Sequence, residues 1–189
     1  MPKTVDVQQY RQELLSKCFD LFAEKGYANV TTRQIAKELG VSTGTLYHYF
    51  PNKQVLFEQL VEQVCLQDVE VIKKVDKNQT RSQRITALGQ ILIENQEYAI
   101  KQAAIWTNFR QHSSARDLDD SLLCQQIDSR YEQAVSELLD LHNPQIAKFI
   151  WTLVDGISIN QIGNSDSFVV QVELLIQMLI AYFEKHTSA

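Results

Sequence analysis

A short segment near the N-terminus combines small, apolar and hydroxyl-bearing residues in a regular pattern. Residues 32–50 read TRQIAKELGVSTGTLYHYF, and their small and apolar positions fit two short helices joined by a tight turn. Ala36 falls where two helices of such a motif approach most closely, and Gly40 falls at the turn, where the backbone needs a positive φ. The spacing therefore predicts a helix-turn-helix whose second helix can lie in the major groove of DNA.

The predicted second helix is rich in small hydrogen-bond donors and contains no Asp or Glu. Hydroxyl groups and backbone amides suit phosphate oxygens, whereas an enzyme site more typically combines a base, an acid and a nucleophile. Basic side chains flank this segment. We therefore predict a DNA-binding surface made of Thr32, Arg33, Ser42, Thr43, Gly44, Thr45, Tyr47, His48, Tyr49 and Lys53.

The elements around this segment read as helices with recognisable ends. Thr31 and Gln34 have the spacing of a capping box, while Ser42 and Asn52 can each cap the helix that follows. Gly26 is expected to end the first helix. Helices are predicted over about residues 8–25, 32–39, 43–49, 53–75, 82–112 (one or two helices), 118–141, 144–162 and 167–185.

The composition favours an all-α protein of about nine helices. The 189 residues include only 6 Gly and 3 Pro, and 44% are hydrophobic, so the chain has enough apolar material to bury and is not expected to be disordered. We predict two domains. Residues 1–53 form a three-helix domain with the helix-turn-helix, and residues 54–189 form a larger helical domain.

Several classes of protein are disfavoured. Cys18, Cys65 and Cys124 are odd in number and form no CxxC pair, so neither a disulfide framework nor a zinc site is expected. Gln171 and Glu173 interrupt the most apolar stretch, which excludes a membrane span. The first residues contain no apolar signal segment, so we expect a cytoplasmic protein.

The combined pattern from about residue 8 to residue 60 is specific. It consists of Phe22, Lys25-Gly26-Tyr27, Thr31-Thr32, Ile35-Ala36, Leu39-Gly40-Val41-Ser42, Gly44, Leu46-Tyr47, Tyr49-Phe50, Lys53, Leu56 and Phe57. This pattern resembles the TetR family of one-component bacterial regulators. The resemblance implies a homodimeric repressor that binds a palindromic DNA operator and releases it when a small molecule binds the C-terminal domain.

The resemblance also implies roles for individual residues. Thr43, Gly44 and Thr45 match the family's contacts at the start of the recognition helix. Tyr47 matches a tyrosine that often touches phosphate, and Lys53 matches the phosphate-binding lysine that opens the fourth helix.

Three further positions can be interpreted either as DNA contacts or as structural residues. Thr32 matches a threonine that contacts the DNA backbone, but it could also do no more than start its helix. The family commonly has His directly before the Phe, whereas this chain has Tyr49 there and His48 one position earlier. Tyr49 could be partly core, and His48 could be a solvated side chain.

The C-terminal half contains bulky groups that could line a ligand pocket. The default expectation is a site for a small apolar or aromatic compound, with no cofactor. The alternative for each aromatic residue is plain core packing. The candidate ligand-binding residues are Trp106, Phe109, His112, Cys124, Gln125, Asp128, Tyr131 and Trp151.

The last two predicted helices are apolar on most sides, which indicates burial on most sides. Two such helices suggest a two-fold, four-helix dimer contact, in which Gly156 would allow close approach. The alternative is packing within one subunit. The predicted interface consists of Ile150, Leu153, Ile157, Val172, Leu175, Ile176, Leu179 and Phe183.

Other functions remain as alternatives. An enzyme site could be built around His112 with Arg116 and Asp117, or around Cys124, but the sequence has no metal-ligand spacing, nucleophile elbow or phosphate loop, so we expect no enzyme. A transcriptional activator, or a helical interaction protein without ligand control, is the remaining alternative.

The net charge of −5 is divided unevenly along the chain. Residues 1–53 contain seven basic and five acidic side chains (net +2), whereas residues 54–189 contain eleven and eighteen (net −7). The predicted DNA-binding end is therefore mildly basic. Long-range steering should be modest, and recognition must rely on docking geometry and local contacts.

Overall fold

Nine helices follow one another through the residues that the computed structural model describes, which are 6–113, 118–162 and 167–186, with no side chains described for residues 112–121. No strand occurs among these residues, so the predicted all-α class is confirmed. The helices are α1 (Val7–Asn29), α2 (Thr32–Leu39), α3 (Thr43–Tyr49), α4 (Lys53–Lys73), α5 (Arg81–Glu94), α6 (Gln96–Ser113), α7 (Leu118–Leu139), α8 (Pro144–Asn160) and α9 (Phe168–His186).

The predicted start signals operate at the N-terminal helices. Thr31 and Gln34 form a complete capping box at α2, in which each side chain accepts a hydrogen bond from the other residue's backbone N–H. The Ser42 hydroxyl caps α3, and the Asn52 side chain caps α4. These local bonds satisfy helix N–H groups that would otherwise lack partners, and they fix where each helix begins.

Two glycines adopt a positive φ. Gly40 has φ 68° and ends α2, as the turn of the motif requires. Gly26 has φ 72° and ψ 158°, a non-helical conformation that breaks α1 with a kink. The regular first helix therefore stops at Gly26 as predicted, and a short helical stretch beyond the kink continues to Asn29.

Helix α4 connects the N-terminal helices with the rest of the molecule. It packs on both α1 and α7, while α1 also packs on α6, α7 on α8, and α5 on α9. Since α4 begins at Lys53 and continues without a break to Lys73, no flexible linker follows the third helix. The domain boundary at residues 53/54 stays a prediction.

The remaining sequence predictions concern cysteines and membranes. All three cysteines are free thiols, and burial raises the pKa of both Cys18 and Cys65 to about 12, which makes them unreactive. Across the described ranges, no helix combines the length and the apolar content of a membrane span. Those ranges also contain no cluster of three residues able to ligate a metal.

Candidate functional site

The second and third helices form a small packed motif with one polar face. Ile35, Ala36 and Leu46 are at most 3% exposed and hold α3 against α2. Phe50 follows α3 directly and is equally buried, so it fixes the direction in which the chain leaves the motif. Because the apolar side of the motif is used internally, the opposite side of α3 is free to meet another molecule.

The opposite side of α3 presents most of the predicted DNA-binding residues. Thr43, Gly44 and His48 are exposed, and Tyr47 is 52% exposed despite its size. Such an exposed tyrosine on a seven-residue helix contributes little to the core and offers both a ring and a hydroxyl to a partner. The Thr45 hydroxyl lies 2.8 Å from the cap hydroxyl of Ser42, so these two residues form one local network.

The flanking candidates lie on both sides of α3. Arg33 is exposed on α2, and Thr32 is half-buried at the first position of the same helix. Tyr49 is half-buried, and its ring lies edge-on to Tyr10 of α1, with centroids 5.3 Å apart. The structure thus brings the ten predicted residues to one end of the molecule; their contacts with DNA stay a prediction.

Lys53 has an internal role that the sequence did not reveal. Its Nζ donates hydrogen bonds of 2.9 Å to the carbonyl oxygens of both Tyr27 and Val30, and it lies 4.1 Å from the centre of the Tyr27 ring. Burial lowers the pKa of this ammonium. Lys53 therefore joins the end of α1 to the start of α4, which sets the position of the helices that carry the polar face.

A cavity of about 340 Å³ lies in the C-terminal part, which is a size suited to a small organic molecule. Helices α4 to α8 all contribute to its wall, and most of the lining is apolar or aromatic. Its residues are Gln67, Asp68, Val71, Ile72, Leu88, Ile91, Leu92, Asn95, Tyr98, Ala99, Gln102, Ala103, Trp106, Tyr131, Val135, Trp151, Val154, Asp155 and Ser158.

One carboxylate organises the polar part of this wall. Asp68 of α4 accepts hydrogen bonds from the hydroxyls of Tyr98, at 2.8 Å, and Tyr131, at 2.6 Å. The Gln102 amide donates both to Asp68 and, at 2.7 Å, to the Tyr131 hydroxyl. All three donors are neutral, and Asp68 forms no ion pair with any residue that the structure describes.

Burial controls the protonation of this network. It raises the pKa of Asp68 to about 6, although the hydrogen bonds from Tyr131 and Tyr98 act in the opposite direction. Burial also raises the pKa of both tyrosine hydroxyls, so they remain protonated donors. At neutral pH the cavity therefore carries a mostly ionised carboxylate without a cationic neighbour.

Three of the predicted ligand residues do line the cavity. Tyr131 and Trp151 stack with their ring centres 3.9 Å apart, and Trp106 meets Tyr131 edge-on at 6.4 Å. The Nε1 atoms of both tryptophans are buried and have no hydrogen-bond partner within the described part of the chain. The rings of these three residues therefore contribute to the wall of the cavity, whereas the two indole N–H groups are shielded from solvent.

The other predicted ligand residues lie elsewhere. Phe109 is buried next to Phe57, with ring centres 5.8 Å apart, and Cys124 packs against the core. Gln125 is exposed, and Asp128 forms an ion pair with Arg110 at 2.7 Å. The side chain of His112, together with the alternative enzyme residues Arg116 and Asp117, lies outside the described residues.

Sequence reasoning missed Asp68, Tyr98, Gln102 and Asp155 as cavity residues. One signal was available for Asp68. It shares a helical face with Val61, Val64 and Ile72, which are all buried, so a charged residue interrupts an apolar stripe. A lone acid in such a stripe indicates a buried polar function.

The same α6 that lines the cavity also contacts α1. The ring of Tyr98 stacks on Phe19, and the Lys101 ammonium pairs with Asp20 at 2.9 Å. At the kink in α1, a Cβ on Gly26 would come within 2.8 Å of the Asn108 side chain, so α1 and α6 approach closely there. The cavity wall is thus in direct contact with an N-terminal helix.

The predicted dimer residues on α8 and α9 divide into two groups by burial. Ile150, Val172, Leu175 and Phe183 are at most 7% exposed within one subunit, whereas Leu153, Ile157, Ile176 and Leu179 are half-buried. The large apolar side chains that these two helices expose include Phe149, Val170, Leu174, Met178 and Tyr182. Gly156 is exposed as well, and an added Cβ there would meet no atom of its own subunit.

Comparisons with known proteins find relatives of the N-terminal part. The family model described as "Bacterial regulatory proteins, tetR family" matches residues 14–60. The nucleoid occlusion factor SlmA of Glaesserella parasuis is 33% identical over 95 residues, which are 50% of this chain and 47% of that protein. The chain thus spans about half the length of this curated relative.

Solved structures share the fold of almost the whole chain. The regulator FadR of Bacillus subtilis, in complex with stearoyl-CoA, superposes with a TM-score of 0.70 at 19% identity, over 89% of this chain and 96% of that one. A transcriptional regulator of Saccharomonospora viridis, in complex with choline, gives 0.71 at 18% identity, over 94% and 96%. At this identity the likeness establishes the fold.

Proposed function

We propose that the protein is a homodimeric transcriptional repressor under the control of a small molecule, because residues 14–60, which include the helix-turn-helix segment, match the tetR family model. It binds a palindromic operator in the cytoplasm through α3 of each subunit, and a ligand in the cavity releases it. The alternatives are an activator with the same architecture and a helical interaction protein without ligand control.

One observation carries this proposal: the cavity and the DNA-binding end share a helix. Asp68, Val71 and Ile72 of α4 line the cavity, and Lys53 at the other end of α4 fastens α1. A displacement of α4 by ligand would change the position of α1 to α3, and hence the spacing of two recognition helices in a dimer. A coupling of ~1–3 kcal/mol is sufficient for a clear response.

The DNA-binding part is tested by selecting bound fragments from random double-stranded oligonucleotides. We expect a palindromic consensus, because a two-fold dimer presents the same helix to two half-sites. A consensus without two-fold symmetry would contradict the dimeric arrangement, and failure to enrich any sequence would contradict DNA recognition by α3.

The contribution of single residues is tested at the selected operator. Arg33→Gln should weaken binding and lower the slope of log affinity against log salt by about one phosphate contact. Lys77→Gln is the matched control, because it removes the same charge from an exposed position beyond the far end of α4, ~30 Å from Lys53. Equal effects of the two substitutions would argue for non-specific electrostatics.

The curated relatives suggest a second candidate, since they are named nucleoid occlusion factors. The cavity favours ligand control, because its wall combines apolar and aromatic side chains with a carboxylate that is held by three neutral donors. Mapping the bound sites on the chromosome separates the two candidates. A regulator should occupy a few promoters, whereas an occlusion factor should occupy many sites outside promoters.

A further inference from the structure

All charged residues in the cavity wall are acidic. Of the residues that line the cavity, two are acidic and none is Lys, Arg or His. Asp155 has Arg110 as a neighbour at 3.9 Å, outside the lining, whereas Asp68 has only neutral donors around it. An ionised group in an apolar site without a counter-charge is unfavourable, and a ligand of opposite charge relieves that cost.

The aromatic groups of the wall fit the same kind of ligand. Tyr98, Trp106, Tyr131 and Trp151 all line the cavity, and Tyr131 stacks on Trp151 while holding Asp68 through its hydroxyl. The free faces of such rings attract cations, with tryptophan the strongest. The Arg110 guanidinium already lies 5.7 Å from the centre of the Trp106 ring, and Tyr131 and Trp151 each use one face to stack on the other, so the remaining faces of Tyr131 and Trp151 are the ones left for a ligand. A carboxylate among aromatic rings therefore presents two attractive features to one positive charge, and the apolar side chains of Val71, Leu88 and Ile91 would contact its hydrocarbon part.

We infer that the cavity binds an organic monocation, an amine or quaternary ammonium with an apolar tail, whose charged head lies between Asp68 and the aromatic rings. This inference rests on the proposed ligand control and names the class of effector. It also excludes ligands with a carboxylate or phosphate head, because such a group would meet two acidic side chains and no basic one in the cavity wall.

The experiment compares four probes that share a hexyl tail: hexyltrimethylammonium, hexylammonium, hexan-1-ol and hexanoate. Binding is followed by tryptophan fluorescence of the full chain, which has only two tryptophans, both in the cavity wall. We expect at least one cation to bind about tenfold or more tightly than the alcohol, and hexanoate to bind most weakly. Tighter binding of hexylammonium would indicate direct pairing with Asp68, and tighter binding of the trimethylated head would indicate the ring faces.

A matched pair of variants assigns the preference to one side chain. Asp68→Asn should bring the affinity for the cations down to that for hexan-1-ol and leave the alcohol unchanged. Glu70→Gln removes the same charge from an exposed position two residues along α4 and should change neither affinity. The comparison of the four probes on the wild-type chain does not depend on how the variants fold.

Three results would overturn the inference: equal or tighter binding of the alcohol or hexanoate, a cation preference that survives Asp68→Asn, or no binding of either cation. None of these would affect operator selection, which tests the proposed regulator independently. Conversely, a chain that binds the cations but enriches no DNA sequence would retain the cation site and lose the proposed function.

Discussion

The phenol ring of Tyr98 stacks on the ring of Phe19, with their centres 5.0 Å apart and their planes 14° from parallel. The hydroxyl of the same tyrosine donates a hydrogen bond to Asp68. One side chain therefore touches α1 with its ring and the cavity carboxylate with its oxygen. A ligand that displaces or reorients Asp68 changes a partner of Tyr98, and Tyr98 cannot move without changing its contact with α1.

This relationship predicts that Phe19→Leu weakens the communication between ligand and DNA. The substitution removes the stacked ring but leaves the cavity wall intact, so ligand affinity should change little. The ligand-induced loss of operator affinity should fall by a few-fold, corresponding to ~1 kcal/mol of coupling. The measurement is operator affinity with and without whichever of the four hexyl probes binds.

The control for this prediction is Phe168→Leu. Phe168 is buried more deeply than the half-buried Phe19, and it packs with Ala99 and Val172 in a cluster separate from the one that Phe19 contacts. It should lower the free energy of unfolding as Phe19→Leu does and leave the coupling as in the wild type. If Phe19→Leu keeps the full ligand response, the contact between α1 and α6 does not transmit it, and α4 alone remains as the route.

Structural features that depend on residues close together in the sequence could be predicted, whereas those that depend on distant residues could not. The helix ends at Thr31, Ser42, Asn52 and Gly40 depend on neighbours within a few residues, and those signals were legible. The cavity network joins Asp68 to side chains about 30 and 60 residues away. No local pattern encodes such a meeting, so it became visible only in the folded chain.

The C-terminal helices show a second limit. The sequence indicates that α9 is apolar on most sides, but it does not say which arc faces its own subunit. The fold decides this: Val172 is 2% exposed and packs inward, whereas Leu174, two residues later, is 52% exposed. The predicted interface list therefore mixes residues of the subunit core with residues near the exposed apolar face.

The buried Asp68 predicts a pH-dependent stability. Burial raises the pKa of this carboxyl to about 6 from 3.8, so the folded chain holds the proton more tightly than the unfolded chain does. Its contribution to the free energy of unfolding is therefore largest below about pH 4 and is lost as the pH rises through about 6. Relative to Asp68→Asn, which does not titrate, the wild type should lose ~2–3 kcal/mol between these limits.

Urea denaturation of the wild type and of Asp68→Asn, without ligand and at about pH 4.5 and about pH 7.5, measures this difference in the free energy of unfolding. Other titrating groups contribute equally to both chains and cancel in the comparison. Parallel pH profiles of wild type and variant would contradict the assignment of the raised pKa to Asp68.

The clamp made by Lys53 predicts that Lys53→Met destabilises the N-terminal helices. The two carbonyl oxygens, of Tyr27 and Val30, would lose their charged donor, which should cost ~1–3 kcal/mol in the free energy of unfolding. Lys25→Met is the control, since it removes an exposed lysine near the end of α1, the helix to which Lys53 is bound. Equal stability of the two variants would contradict the clamp.

The same pair of variants separates the clamp from a phosphate contact. If Lys53 also reaches a phosphate, Lys53→Met should lower the salt dependence of operator binding by about one contact. If it acts only by positioning α1 and α4, operator affinity should fall while the salt slope stays unchanged.

The exposed apolar face of α8 and α9 predicts where two subunits meet. Leu174 lies on this face, one turn from both Val170 and Met178, and a monomer gains nothing by exposing such a row to water. Leu174→Lys should leave the subunit folded, because the side chain is already half in solvent, but it would place a charge in the centre of a dimer contact. We expect sedimentation to report a monomer and operator affinity to fall sharply, since one recognition helix alone reads only half a site.

Leu122→Lys is the matched control, because Leu122 is also 52% exposed but lies on α7. It should remain dimeric and bind the operator normally. A loss of the dimer in both variants would point to general destabilisation, and a dimer that survives Leu174→Lys would place the interface elsewhere. A shift confined to the α9 variant would place the exposed apolar face around Leu174 in the contact between two chains.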